Sequence, residues 1–391
     1  MNKVLILGAF DRYNYGDLLF PLIIEKVLKD LNKETQIRFF GIIDKDLSSV
    51  GGVSTQSIKS FYKECNDSDV KVNIIIAGGD SLTATWSSLL ASLNRFFEIT
   101  HRYRNIISNI VNVNFLAKRF IGGKTKYPFI IEKNKFKQIN KILFNSLGGS
   151  GVNDNFINNN SALFEVDYFA VRDIDTYNNL NNNGINIELF PDSAILMSKL
   201  YPLETELKSK TSAKIIEFVR NNENYIFFQV NQLYCGKDYN TIIKSLKIIG
   251  AEFNLKICLC PIGSALSHND QIPLERISKK LDIPHHYFED VTIWDIMYLI
   301  AKSKCYIGTS LHGTITAMSF DIPYIGLKAK KLNSYLKSWG VENINYAIDF
   351  NQIPERFRIA VKIPKEQLVI SRINQIDRAE LSFQNIYQLI K

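Results

Sequence analysis

A histidine framed by glycines and hydroxyls is the strongest chemical signal in this chain: Gly308-Thr309-Ser310-Leu311-His312-Gly313 stands between a short apolar run and an apolar helical pattern. In a parallel α/β sheet, ligands bind outside the carboxyl ends of the strands, and a helix N-terminus there presents unpaired N–H groups and positive dipole to an anion. His312 in that position can meet a phosphate or a carboxylate. The alternative is a buried imidazole satisfied by a backbone carbonyl. Gly308 and Gly313 are expected to let backbone approach a ligand closely, and Thr309 and Ser310 to supply hydroxyls or a helix cap.

Other polar knots follow apolar runs in the same way. After Val4 to Phe10 comes Asn14-Tyr15-Gly16-Asp17, with a helix expected to begin near Leu18. There Asp17 either caps the helix or faces a ligand, Gly16 is suited to a left-handed turn, and Pro21 belongs near the first turn. Gly78-Gly79-Asp80-Ser81 has two glycines before two potential caps, so its N–H groups can cradle a phosphate, or Asp80 can take a proton from a sugar hydroxyl; a plain helix start fits as well. The stretch is neither a dinucleotide fingerprint nor a Walker loop. Arg172, in Val171-Arg172-Asp173, can grip a carboxylate or phosphate with two parallel hydrogen bonds, or pair with Asp173 or Asp175 at the surface. Asp192 in Pro191-Asp192-Ser193 is a loop residue or a cap. Lys328, Lys330 and Lys331 follow Pro323 to Leu327, where one of them can reach an anion or all can be solvated.

The elements that must position these residues alternate between short apolar runs and helical spacing. Runs at Val4 to Phe10, Gln36 to Ile43, Asn73 to Asp80, Ile142 to Gly149 and Asp167 to Asp173 predict one parallel sheet. Runs at Tyr225 to Asn231, Lys256 to Gly263, His285 to Glu289, Lys304 to Ser310 and Pro323 to Lys328 predict a second. The expected division is a first domain over 1–200 and a second over 201–391 that ends in a helix, amphipathic over Arg378 to Lys391. A stretch from Trp86 to Lys141 interrupts the first domain with Arg95, Phe96, Phe97, Arg102, Tyr103, Arg104, Lys118, Arg119 and Phe120. It reads as an interfacial helix for an anionic membrane, a lid, or a helical pair with solvated basic faces.

Composition narrows the class of protein. The 391 residues are 46% hydrophobic and carry a formal net charge of +8, which fits a folded two-domain chain with an acidic partner. No run reaches the roughly 20 apolar residues of a membrane span, and no signal peptide pattern is present. No nucleic-acid module accompanies the charge. The five cysteines lack zinc spacing and are expected to be reduced, which places the protein in the cytoplasm.

Taken in order, Asn14-Tyr15-Gly16-Asp17, Gly78-Gly79-Asp80, Val171-Arg172-Asp173 with Gly184, Pro191-Asp192-Ser193, and Ser310-Leu311-His312-Gly313 followed by Ala317, Pro323 and lysines resemble the polysaccharide pyruvyl transferase family. The resemblance implies an α/β fold of two Rossmann-like domains, similar to GT-B glycosyltransferases, with a central cleft. It implies phosphoenolpyruvate as donor, a sugar hydroxyl pair as acceptor and a pyruvate ketal as product, in surface polysaccharide biosynthesis. His312 then fits the acid, Asp80 or Asp17 the acceptor-handling carboxylate, and Arg172 with a lysine the anion site. Asn14, Gly16, Gly78, Gly79, Thr309, Ser310 and Gly313 complete the expected substrate contacts. Many members carry Arg where this chain has Ser310, so Lys328 or Lys330, or the Ser310 hydroxyl with the helix N-terminus, is expected to complete the anion site. No cofactor or metal is expected. A polyprenyl-linked acceptor and peripheral contact with the inner face of an anionic membrane fit the basic aromatic stretch. The competing readings are a nucleotide-sugar glycosyltransferase and a non-catalytic scaffold of a polysaccharide assembly.

Overall fold

The computed structural model describes residues 2–103, 112–266 and 269–391. Arg104, counted above with the basic residues of the insertion, lies outside them. The chain forms two compact units. The first contains Met1–Ser193 and Arg378–Lys391, and the second contains Ala194–Ser264 and continues to Asp377. The division therefore falls a few residues before 200/201, and the end of the C-terminal helix groups with the first unit rather than the second.

The first unit is built on six strands: β1 (Lys3–Leu7), β2 (Gln36–Phe40), β3 (Val72–Ala77), β4 (Ile139–Leu147), β5 (Tyr168–Val171) and β6 (Glu188–Leu189). Their order is β2-β1-β3-β4-β5-β6, and every pairing is parallel. β3 is buried at all six positions, as a strand covered on both faces requires. The crossover after β1 is α1 (Tyr15–Leu31), whose inner face buries Leu18, Leu19, Ile23, Ile24 and Leu28.

Between β3 and β4 lie α2 (Trp86–Ala91), α3 (Arg95–Arg102) and α4 (Val113–Ile121). Trp86, Leu89, Leu90, Phe97, Ala117 and Ile121 join the core of the first unit. The Trp86 indole donates to the Thr125 carbonyl at 3.3 Å. The insertion is thus anchored by its inner side, while Phe96, Ile99, Phe115, Leu116 and Phe120 remain exposed on its outer side.

The second unit carries β7 (Tyr225–Gln229), β8 (Lys256–Leu259), β9 (His285–Tyr287), β10 (Tyr306–Gly308) and β11 (Tyr324–Gly326). Their order is β9-β8-β7-β10-β11, again parallel throughout. α5 (Leu311–Ser319) follows β10 and α6 (Lys330–Trp339) follows β11. α7 (Lys365–Ile390) closes the described chain.

Each run expected as a strand contains one, and each strand stops a few residues before its run does. Gly, Asn, Asp and Ser at those ends leave the ladder to form the loops that hold the candidate residues. The five cysteines are free and buried. Burial raises the thiol pKa of Cys65, Cys235, Cys258, Cys260 and Cys305, so each is held as a neutral packing group.

Candidate functional site

The carboxyl edge of the first sheet gathers Asp17, Gly78, Gly79, Asp80, Arg172 and Asp192. α1 starts at Tyr15, earlier than expected, so Asn14 occupies the N-cap position and Asp17 lies inside the first turn rather than capping. The Asn14 side chain makes no cap hydrogen bond. Gly16 is an ordinary helical residue, because it is absent from the positive-φ positions of the described chain. Pro21 sits in the helix body, where it gives no N–H to the Asp17 carbonyl.

Gly78 and Gly79 adopt φ of +44° and +73°, the left-handed region that side chains avoid. A Cβ on Gly78 would fall 2.2 Å from the Phe20 ring, so this glycine is what allows α1 to pack against the turn. A Cβ on Gly79 would stand 3.4 Å from Asp17 Oδ1, which puts the Asp17 carboxylate beside the turn. Asp80 Oδ1 accepts from the Ser150 N–H at 2.9 Å, and its other oxygen accepts from the Ser150 hydroxyl. Ser150 therefore fixes the orientation of Asp80 from the loop after β4.

Arg172 was expected to grip an anion, and the structure puts its guanidinium elsewhere. It is 2% exposed and donates to Asp192 Oδ2 at 2.7 Å. Burial alone lowers its pKa, yet Asp192, then Asp80 and Asp173, hold it above the ordinary value. This cluster is not at the surface: Asp173 is itself buried, adds to the field on Arg172, and also caps the helix Ile174–Asn181 through the Thr176 N–H at 2.9 Å. Arg172 is thus a buried counter-charge for Asp192 and Asp80. Nearby, β4 has an irregular register between Phe144 and Leu147, with Ser146 at φ +51°. The Asn145 amide is buried there with no hydrogen-bond partner among the described residues. A bulge with an orphaned amide at a strand end is the kind of irregularity found beside binding sites.

The second unit builds its site around the start of α5. Ser310 is the N-cap and accepts from the Gly313 N–H at 3.3 Å. His312 is 9% exposed in the first turn, and its carbonyl accepts from the Thr316 hydroxyl at 2.8 Å. Gly308 and Gly313 do not leave their space to a ligand. A Cβ on either would lie 2.3 Å from the Tyr306 hydroxyl, which occupies the gap and donates to the Ser310 carbonyl at 3.3 Å. Thr309 is turned inward, its hydroxyl accepting from the Asn231 N–H at 3.0 Å.

A residue no motif signalled holds this turn. Gln229, at the end of β7, accepts through Oε1 from the N–H groups of Thr309 and Ser310 at 3.1 and 3.0 Å. Its amide donates to Asp270 at 2.8 Å. Asp270 also accepts from Asn231, Ile262 N–H and Gly263 N–H, each at 3.0 Å. Burial raises Asp270 to about 6, against the opposing pull of these donors. The only sequence cue was that Gln229 and Asn231 are polar residues at the end of an apolar strand; Asp270 had none.

The two candidate lysines differ. The Leu327 N–H donates to the Gly308 carbonyl at 2.9 Å, so the loop carrying Lys328 begins beside the Thr309-Ser310 turn. Lys328 has φ +49°, and its ammonium is held 2.6 Å from Asp238 Oδ2. Lys330 opens α6 and is exposed, with no ion pair among the described residues. Among the described residues no group of His, Cys, Asp and Glu side chains is arranged to hold a metal ion.

A family model described as polysaccharide pyruvyl transferase matches residues 14–329. No curated protein matches the sequence. Among solved structures, UDP-GlcNAc 2-epimerase from Neisseria meningitidis, bound to UDP-GlcNAc, is similar with a TM-score of 0.56 at 12% identity, over 99% of this chain and 100% of that one. The S. aureus MnaA–UDP structure gives a TM-score of 0.56 at 11% identity, over 99% and 95%. Anabaena Alr3699/HepE, solved with UDP and glucose, gives 0.54 at 12%, over 99% of each. These likenesses show a GT-B-like fold of two Rossmann-like units.

Proposed function

We propose, because this chain belongs to the polysaccharide pyruvyl transferase family, an enzyme family, that it transfers pyruvate from phosphoenolpyruvate to two hydroxyls of a sugar, forming a pyruvate ketal. The match over residues 14–329, which takes in every expected site residue except Lys330, is the observation that carries this reading. A proton added to the enol methylene carbon leaves positive charge at the adjacent carbon. One sugar hydroxyl attacks that carbon, the bond to the phosphate oxygen breaks with its electron pair on phosphate, and the second hydroxyl closes the ketal. Of the two hydroxyl protons released, one balances the proton added to carbon and the other leaves with phosphate.

The residues divide this work by chemistry. His312 delivers the proton to carbon. The Ser310-capped start of α5 and the Lys330 ammonium face the donor's carboxylate and phosphate. Lys328 is the weaker candidate, because Asp238 already neutralises it. In the first unit Asp80, oriented by Ser150, receives the acceptor proton, and Asp17 and Asn14 orient the sugar. Arg172 acts as the buried counter-charge of Asp80 and Asp192 rather than by touching substrate. Gly16, Gly78, Gly79, Thr309 and Gly313 shape these loops.

The exposed aromatic and basic side of α3 and α4 supports two finer readings, a lipid-linked acceptor and peripheral contact with an anionic membrane from the cytoplasmic side. Mass spectrometry of candidate acceptors incubated with phosphoenolpyruvate tests the reaction. A ketal adduct in the wild type that disappears in His312→Ala supports it. A nucleotide-sugar reaction is the second reading, favoured by similar folds solved with UDP or UDP-GlcNAc. UDP binding without phosphoenolpyruvate binding or any ketal product would replace the first reading with that one.

A further inference from the structure

Two adjoining cavities in the first unit are lined by none of the residues assigned to the reaction above. One, of about 340 Å³, is lined by Thr83, Tyr127, Gly151, Asn153, Asn155 and Phe156. It begins next to the Asp80–Ser150 pair, since Gly151 follows Ser150 and a Cβ there would touch the Thr83 hydroxyl at 3.0 Å. The Tyr127 and Phe156 rings meet edge to face at 5.1 Å, and hydroxyls and amides surround them. Apolar ring faces with amides and hydroxyls suit an uncharged sugar ring.

The second cavity, of about 430 Å³, shares Lys126 and Asn159 with the first and adds Lys118, Lys135, Glu132 and Phe115. Lys126 donates to the Asn159 carbonyl at 2.9 Å, which keeps its ammonium at the junction of the cavities. Lys135 is paired with Glu132 at 2.7 Å, so the net positive charge falls to Lys126 and Lys118. Phe115, on the outer side of α4, carries the lining on to exposed apolar surface. The sequence along this track is carboxylate, sugar-type cavity, cationic cavity, apolar face.

We propose that the cationic cavity is a phosphoryl-binding site for the acceptor, taking the phosphate or diphosphate ester that joins the sugar to its carrier, with Lys118 and Lys126 as its ligands. The inference deepens the ketal-forming reading and rests on it for the word acceptor; the anion site itself stands on the cavity and its charges. An ester seated there directs the sugar toward Asp80 and leaves the carrier at Phe115.

The test has a binding arm and a turnover arm. In the binding arm, calorimetry with inorganic pyrophosphate is run on the full chain and on Lys118→Gln/Lys126→Gln, with melting temperature as the folding control. The double variant is expected to bind about tenfold or more weakly. Glu132→Gln removes the one carboxylate that lines the cavity among the described residues and is expected to bind severalfold more tightly, a gain that misfolding cannot produce. Equal affinity across the three proteins, or no binding to any, overturns the site even when ketal formation is intact. In the turnover arm, a diphosphate-linked saccharide is compared with the same saccharide lacking phosphate. The double variant should raise KM for the linked acceptor alone and leave KM for phosphoenolpyruvate unchanged; an equal rise for both saccharides overturns the proposal. Prenyl- and nucleoside-linked versions of the saccharide distinguish the two sources of the ester. If no acceptor is turned over, the ketal reading fails, and the pyrophosphate arm still decides the site.

Discussion

His312 and Asp270 make opposite kinds of demand on one loop. His312, in the first turn of α5, is assigned the proton transfer, so His312→Ala should lower kcat by about 10²–10⁴ with little change in melting temperature, measured by phosphate release. Asp270 is a positioning residue whose carboxyl, at about 6, lies above the ordinary 3.8. A carboxyl raised in the folded state stabilises fully below its unfolded value, and that contribution is lost as pH rises through the folded value. The wild type should therefore lose at most about 3 kcal/mol between pH 4 and 6 relative to Asp270→Asn, read from urea midpoints at each pH. A flat difference across that window would show that the carboxyl is not raised. Removing the carboxyl group entirely, as in Asp270→Ala, leaves buried donors unsatisfied and should destabilise by about 2–4 kcal/mol at pH 4, where the folded-state carboxyl is protonated.

At the level of elements, the strand-to-helix turn of β10 and α5 depends on a tyrosine. Gly313→Ala drives a methyl into the Tyr306 hydroxyl at 2.3 Å, with an expected cost of about 1–3 kcal/mol. Tyr306 Cζ and Ile262 Cδ1 stand 2.5 and 2.7 Å from the same point, so adding Tyr306→Phe should recover only a minor part of it, which thermal unfolding of the four proteins of the cycle would measure. This pairing also marks the boundary of what the sequence discloses. Apolar runs gave the sheets and the loops, since burial on both faces leaves a local signature in Val, Ile, Leu and Phe. The histidine turn was legible from residue types within a single loop. The reasons for its glycines were not, because the Tyr306 hydroxyl reaches them only after β10 and α5 pack. Gln229 and Asp270 lie far from the turn in sequence, as Asp192 does from Arg172, and no local pattern announces a partner so distant. Of the two roles open to Asp17, the cap is excluded because α1 starts at Tyr15 rather than near Leu18, and it takes Pro21 into its body.

On the scale of the whole molecule, charge and exposed apolar surface set its encounters. The net charge is +8, and among the described residues no helix is long and apolar enough to cross a membrane. Phe115 and Phe120 are 59% and 65% exposed on a helix that also bears Lys118 and Arg119. Vesicles containing anionic lipid should therefore sediment with the protein, and neutral vesicles should not. Binding should weaken toward about 1 M salt, where the Debye length is only about 3 Å. Phe115→Ser/Phe120→Ser should weaken it at every salt concentration; binding that ignores both salt and these phenylalanines would assign the contact to another surface.

The helix that closes the described chain has a consequence in time. From Arg378 onward α7 is part of the first unit, where Phe383, Ile386 and Ile390 are buried. Ser382 meets the Tyr168 hydroxyl at 3.0 Å, and Arg378 donates to the Leu189 carbonyl at 2.8 Å. During synthesis the ribosome delivers those residues only after the entire second unit, a delay on the order of ten seconds or more at ordinary elongation rates. For that interval the nascent first unit leaves the apolar seat of the helix open to solvent, while the later-made unit already has its own share of the chain complete.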